Sequence, residues 1–112
     1  MDIVHNESVK VEASNEVTMR TFFDKSLFKG ARTTFGKVII PPGVRVPEKG
    51  MGKHNEDEYS IILQGTLKTE SGGKEYRVRA GDATYIPKDE PHYAINDGDE
   101  DCIIVYALVK RT

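Results

Sequence analysis

The chain has 112 residues, enough for one domain around one core. Hydrophobic residues make up 38% and charged residues 30%, with a formal net charge of −2 and both signs mixed along the chain, so nothing offers nucleic acid a basic face. No apolar run approaches the ~18 residues of a membrane span, and the start, Met1-Asp2-Ile3-Val4-His5-Asn6-Glu7, lacks the basic and apolar regions of a secretory signal.

Val9-Lys10-Val11-Glu12 alternates as a strand would, and Thr18 to Phe23 reads as an outer strand, with a turn at Lys25 to Phe28. Thr33 to Ile40 is rich in β-branched residues and stops at Pro41-Pro42-Gly43. Pro47 to Gly52 reads as a loop. Glu58 to Leu63 is the next strand, with a turn at Gln64-Gly65. Thr66 to Glu70 and Glu75 to Arg79 form a hairpin about Ser71-Gly72-Gly73. Ala83 to Ile86 is a short strand closed by Pro87, and Lys88 to Pro91 a loop. His92 to Asn96 is a strand, Asn96 to Asp99 a turn, and Cys102 to Val109 a long, mostly apolar final strand. Many short strands at even spacing, with no helical period after Gly30, predict an antiparallel sandwich or barrel. The single cysteine, Cys102, has no disulfide partner and is expected to be a buried, inert thiol. With no targeting signal, the expected location is the cytoplasm.

Strand alternation puts Glu58, Ser60 and Ile62 on one face and Tyr59, Ile61 and Leu63 on the other. A carboxylate on an interior face is costly unless paired or bound to a cation. His54 lies four residues before Glu58, and His92 opens a later strand. Two imidazoles and a carboxylate from separate strands suit a divalent transition metal, with coordination positions left open. Taken alone, His54 reads first as a solvated loop histidine; the competing readings are an ion pair with a lysine or arginine, or an acidic cluster with Glu56 and Asp57, for Glu58, and a packed or capping histidine for His92.

The spacing His54-x3-Glu58-x6-Gly65 resembles the second half of the first cupin motif. Gly81-x5-Pro87, followed by His92 and Asn96, resembles the second. The resemblance spans roughly residues 31–109. Two positions depart from it. Asp89 stands where the second motif prefers glycine, and Gly52 stands where the first carries another histidine.

The resemblance implies an all-β fold, a cupin-type double-stranded β-barrel (jelly roll), as a single domain over 1–112 with its core at 31–109 and N-terminal strands in 1–28. It implies a metal site near the barrel mouth, here reduced to His54, Glu58 and His92, for iron, manganese, nickel or zinc. Gly65, Gly81, Pro87 and Asn96 are then barrel corners. Ile104, Tyr106 and Leu108 share a face of the last strand, so Tyr106 is the catalytic candidate: if that face points inward, its phenol donates to a substrate oxygen. Arg32 and Arg45 are weaker candidates for meeting a carboxylate.

Two functions are compatible with these residues. One is a metal-dependent enzyme (isomerase, lyase, decarboxylase or dioxygenase) acting on a small organic acid or sugar derivative. The other is a non-catalytic binder or sensor, metal-free, in which His54 and Glu58 bond to each other. The resemblance to small cupins implies a homodimer.

Overall fold

The long strands expected from the sequence all form, and they divide between two facing sheets. The computed structural model describes residues 1–111; Thr112, the last residue of the expected domain, lies outside the described residues. The strands are β1 (Glu12–Ser14), β2 (Val17–Phe23), β3 (Thr33–Ile40), β4 (Arg45–Val46), β5 (Asp57–Gln64), β6 (Thr66–Ser71), β7 (Lys74–Arg79), β8 (Ala83–Ile86), β9 (His92–Ile95) and β10 (Cys102–Val109). One sheet has the order β1-β2-β3-β10-β5-β8 and the other β4-β9-β6-β7, with antiparallel pairing throughout. This is the jelly-roll arrangement of two packed antiparallel sheets.

The N-terminal segment departs from the expected alternation. Residues 9–11 are not in a strand; a 3₁₀ turn spans Asn6–Ser8, and β1 starts only at Glu12. The connection to β2 explains the shift. Asn15 and Glu16 both take positive φ, 50° and 66°, forming a two-residue turn that opposes Ser14 to Val17 and fixes where pairing starts. β4 lies in a stretch that carries no strand signal, yet it pairs with β9 through Arg45–Ile95 and Val46–Ala94.

The core between the sheets comprises Val17, Ile40, Val44, Ile62, Leu67, Cys102 and Ile104. Cys102 is fully buried, and burial pushes its thiol up to about 11, so it stays protonated. Buried Asn96 is fully satisfied. Its Nδ2 donates to the Ile40 and Glu100 carbonyls, both at 2.8 Å, and its Oδ1 accepts from the Gly98 amide. Gly65 makes its corner at φ 85°, where an added Cβ would stand 2.8 Å from the Asp101 carbonyl.

Strand register sets the layers that face inward. Glu58 pairs with Leu108 and Ile86, Ser60 with Tyr106 and Thr84, and Ile62 with Ile104. Tyr106 and Ile104 continue across β10 to Gly36 and Val38. Successive layers are two residues apart, about 7 Å along the strand.

Candidate metal centre

Of the two faces of β5, the one carrying Glu58 points inward: Ile62 is only 1% exposed, whereas Tyr59 and Ile61 are solvent-facing. His54 comes from the loop before β5 and His92 from the start of β9 in the opposite sheet. Each offers a donor atom, and the donor atoms of His54, Glu58 and His92 all lie within 4.8 Å of one another. The imidazoles are 5.2 Å apart between centroids, and His54 Nε2 is 3.3 Å from Glu58 Oε1.

The loop between β8 and β9 orients both imidazoles. His92 Nδ1 contacts the Glu90 carbonyl at 2.9 Å. A carbonyl only accepts, so Nδ1 donates there and the neutral ring presents an unprotonated Nε2. The Asp89 amide donates to the His54 carbonyl at 2.7 Å, with Asp89 at φ 64°. Aspartate tolerates that left-handed conformation, which accounts for its presence where the motif prefers glycine.

The hydrogen bond to Glu58 is the main cause raising the His54 pKa above its ordinary 6.5; burial opposes it, and the charges of Glu58 and Glu56 add to it. A proton on Nε2 therefore occupies the space a cation would take. Two imidazoles and one carboxylate fit iron, manganese, nickel or zinc, and the ligand types do not select among them. Gly52 adds no donor. An added Cβ there would meet only Pro47 Cδ at 3.7 Å, Pro47 Cγ and the His92 carbonyl, all ordinary contacts. Space for a side chain is present, and the donor is what is lacking.

The three donors face a cavity of about 710 Å³ between the sheets. Glu58 and Glu90 line it, together with His54 and His92, and none of its lining residues is lysine or arginine. Below the triad lies a hydroxyl layer of Ser60, Thr84 and Tyr106. Below that lies an apolar floor that includes Ile62, Ile104, Val38, Leu67 and Val78.

Tyr106 does point inward, with its ring lying over Gly36. Burial raises its phenol pKa, more than the hydrogen bond to Thr21 lowers it, so it is protonated and a donor at neutral pH. Arg45 lies outside the cavity, stacked on Tyr93 at 4.0 Å and donating to the Pro47 carbonyl. Arg32 lines a separate small depression with Phe23, Phe28 and Phe35.

Two acidic residues do work that sequence reading did not assign. Asp57 is buried, and it accepts from Arg111 Nε and Nη2, the Lys88 amide and the Tyr85 hydroxyl. Those bonds, Arg111 first, hold its carboxyl down to about 2. Glu90 accepts from Ser71 Oγ at the cavity wall. Nothing in the run Glu56-Asp57-Glu58 distinguishes its members except register: Glu56 pairs with Lys25 at 3.1 Å, Asp57 turns away from the cavity, and Glu58 enters it.

Residues 36–108 match the family model of the cupin domain. The chain belongs to the cupin family. Among curated proteins, this cupin is 32% identical over 96 residues to the oxalate-binding protein of Thermotoga maritima, covering 84% of this chain and 76% of that protein. Its fold superimposes on the crystal structure of a predicted oxalate decarboxylase from Thermotoga maritima, with a TM-score of 0.85 and 24% identity, over 98% of this chain and all of that one. It is also similar to the polyketide cyclase RemF from Streptomyces resistomycificus, with a TM-score of 0.79 and 23% identity, over 99% of this chain and 80% of that one. No helix among the described residues is long and apolar enough to cross a membrane.

Proposed function

We propose that this single-domain cupin holds one divalent transition metal through His54, Glu58 and His92 and binds a small organic acid at it. The reading rests on the convergence of those donors within 4.8 Å at the head of a cavity that, among the described residues, is lined by no lysine or arginine. An anion in this cavity has no lysine or arginine to meet, and Glu58 and Glu90 repel it. The bound metal supplies the Lewis acidity that makes the site attractive to a carboxylate. With Gly52 in place of a further ligand, the site leaves positions for a bidentate acid, and the relative's name makes oxalate the first ligand to try. Tyr106 donates a hydrogen bond to the ligand from the hydroxyl layer, supported by its inward face and its raised pKa.

Calorimetric titration with oxalate tests this. Binding is expected with manganese, nickel or iron loaded and not after chelation. Equal oxalate binding by metal-free protein would overturn it.

The contact between His54 and Glu58 at 3.3 Å favours a second reading, a metal-free binder or sensor in which the two satisfy each other. Elemental analysis of wild type, Glu58→Ala and His92→Ala separates them: stoichiometric metal lost in both variants supports the first, and no metal under any supplementation supports the second.

The assembly that fits this reading is a homodimer in the cytoplasm. Tyr59, Ile61 and Leu63 are 50%, 41% and 54% exposed on the outer face of β5, with Tyr85 stacked beside Tyr59 at 5.0 Å between ring centroids. A second copy covering this face would bury the apolar strip of Tyr59, Ile61 and Leu63, bounded at the start of β5 by the Asp57–Arg111 ion pair.

A further inference from the structure

The cavity is far larger and far more apolar than a two-carbon diacid requires. Its volume of about 710 Å³ lies within the roughly 300–1,000 Å³ of sites that enclose drug-sized ligands. Oxalate coordinated at the triad would leave the hydroxyl layer and the apolar floor in contact with nothing but water. The inward side chains change in order along β5, from Glu58 to Ser60 to Ile62. On β10 the layers are Leu108, Tyr106 and Ile104, so there too the hydroxyl gives way to an apolar side chain toward the floor. From Glu58 to Ile62 is four residues, about 13 Å of strand. Across the cavity, Leu67 pairs with Val78, and Val46 pairs with Ala94, closing the other side with further apolar groups.

We infer that the ligand of this site is a chelating acid with an apolar body: a 2-oxo or 2-hydroxy acid, or an enol of similar bite, whose head meets the triad and whose hydrocarbon portion runs down onto Ile62, Ile104, Val38 and Leu67. The inference rests on the metal-site reading for the head and on the shape of the cavity for the body. A distal charge is excluded by the same lining. A second carboxylate or a phosphate at the floor would be buried with no cation to meet it. The hydroxyl layer tolerates one uncharged oxygen part-way along the body: Ser60 and Thr84 bond to each other, which leaves one of their two protons, and that of Tyr106, to donate there.

The test is a series of acids titrated into wild-type protein whose metal content is measured in the same samples: oxalate, pyruvate, 2-oxobutyrate, 2-oxopentanoate, 2-oxohexanoate and 2-oxoglutarate. Affinity is expected to rise by about fourfold per added methylene through the linear series. 2-Oxoglutarate should bind at least about tenfold more weakly than 2-oxopentanoate, which has the same carbon count without the distal charge. Metal-loaded protein that binds oxalate and pyruvate but gains nothing along the series would overturn the apolar body alone. Protein that retains no metal, or binds none of the acids when loaded, would overturn the site reading and the inference with it. A rise with chain length that persists after chelation would overturn the chelating head.

Discussion

Gly52 and His92 face each other across a two-way backbone bridge, each amide donating to the other's carbonyl at 2.9 Å. Side chains of directly paired residues leave the sheet on the same side. A histidine at position 52 would therefore stand beside His92 at the cavity mouth. Its Cβ has only ordinary contacts to make, and Gly52 is outside the left-handed region. Gly52→His is thus expected to fold normally and to add a fourth ligand. Four-ligand zinc sites hold metal by about 10–16 kcal/mol, so one more imidazole is worth on the order of a hundredfold in metal affinity. Competition with a chromophoric chelator measures it; an unchanged metal Kd would show that position 52 does not reach the site.

Metal binding should depend on pH through His54. Its pKa lies above the ordinary 6.5, chiefly because Glu58 accepts its proton. Below the raised value a metal must displace that proton, so Kd is expected to rise about tenfold per unit of pH lowered there and to level off above it. The metal-free protein has the opposite sign. A histidine whose folded pKa is raised stabilises the fold fully below its unfolded value, and that contribution is lost as pH rises through the folded one. Holo and apo melting temperatures should therefore diverge as pH rises. A separation that is constant across this window would remove His54 from the site.

Asp57 ties Arg111 near the end of the chain to the loop that orients both imidazoles, since it also holds the Lys88 amide next to Asp89. Its carboxyl sits at about 2, below the ordinary 3.8. A lowered carboxylate stabilises the fold above its unfolded value, and that contribution disappears as pH falls from about 3.8 toward 2. Asp57→Asn should lower the melting temperature at neutral pH and flatten the acid limb in that window. It should also weaken metal binding modestly, since the Lys88 anchor of the loop is altered. Melting curves from acid to neutral pH check the first effect, and metal titration the second.

The strands that carry the site were legible because their signals are local. Thr33 to Ile40 ends at a Pro-Pro-Gly breaker, and β5 to β10 are bounded by glycine, proline or asparagine turns. The triad was legible because its spacing from Gly65 and Pro87 picks out one glutamate among three adjacent acids. What stayed hidden depends on partners far away in sequence. β4 exists only because β9 offers a pairing edge. β1 starts where a turn lacking glycine allows it. The burial of Asp57 depends on Arg111, 54 residues later. The apolar depth of the cavity follows from register between strands, which no single segment encodes.

The outer face of β5 predicts the assembly. Tyr59, Ile61 and Leu63 are exposed in alternation with the inward Glu58, Ser60 and Ile62. Ile61→Lys places a charge in the middle of that strip without touching the cavity. If two copies meet there, light scattering should show the variant shifted to monomer at concentrations where wild type is dimeric, with the metal content of both unchanged. A wild-type monomer at working concentration ends the dimer.

The ring of Tyr106 is accommodated by a missing side chain. A Cβ on Gly36 would stand 2.5 Å from the Arg20 carbonyl, 2.8 Å from Tyr106 Oη and 3.0 Å from Tyr106 Cζ. The tyrosine ring could tilt away, but the Arg20 carbonyl belongs to the pairing of β2 with β3 and cannot. Gly36→Ala is therefore expected to cost about 1–3 kcal/mol by overpacking, read from chemical denaturation. Tyr106→Phe separates the two strains: paired with Gly36→Ala it relieves the contact with the hydroxyl but not the one with Arg20, so most of the loss should remain. If the double variant regains wild-type stability, the backbone contact is not what excludes a side chain at position 36.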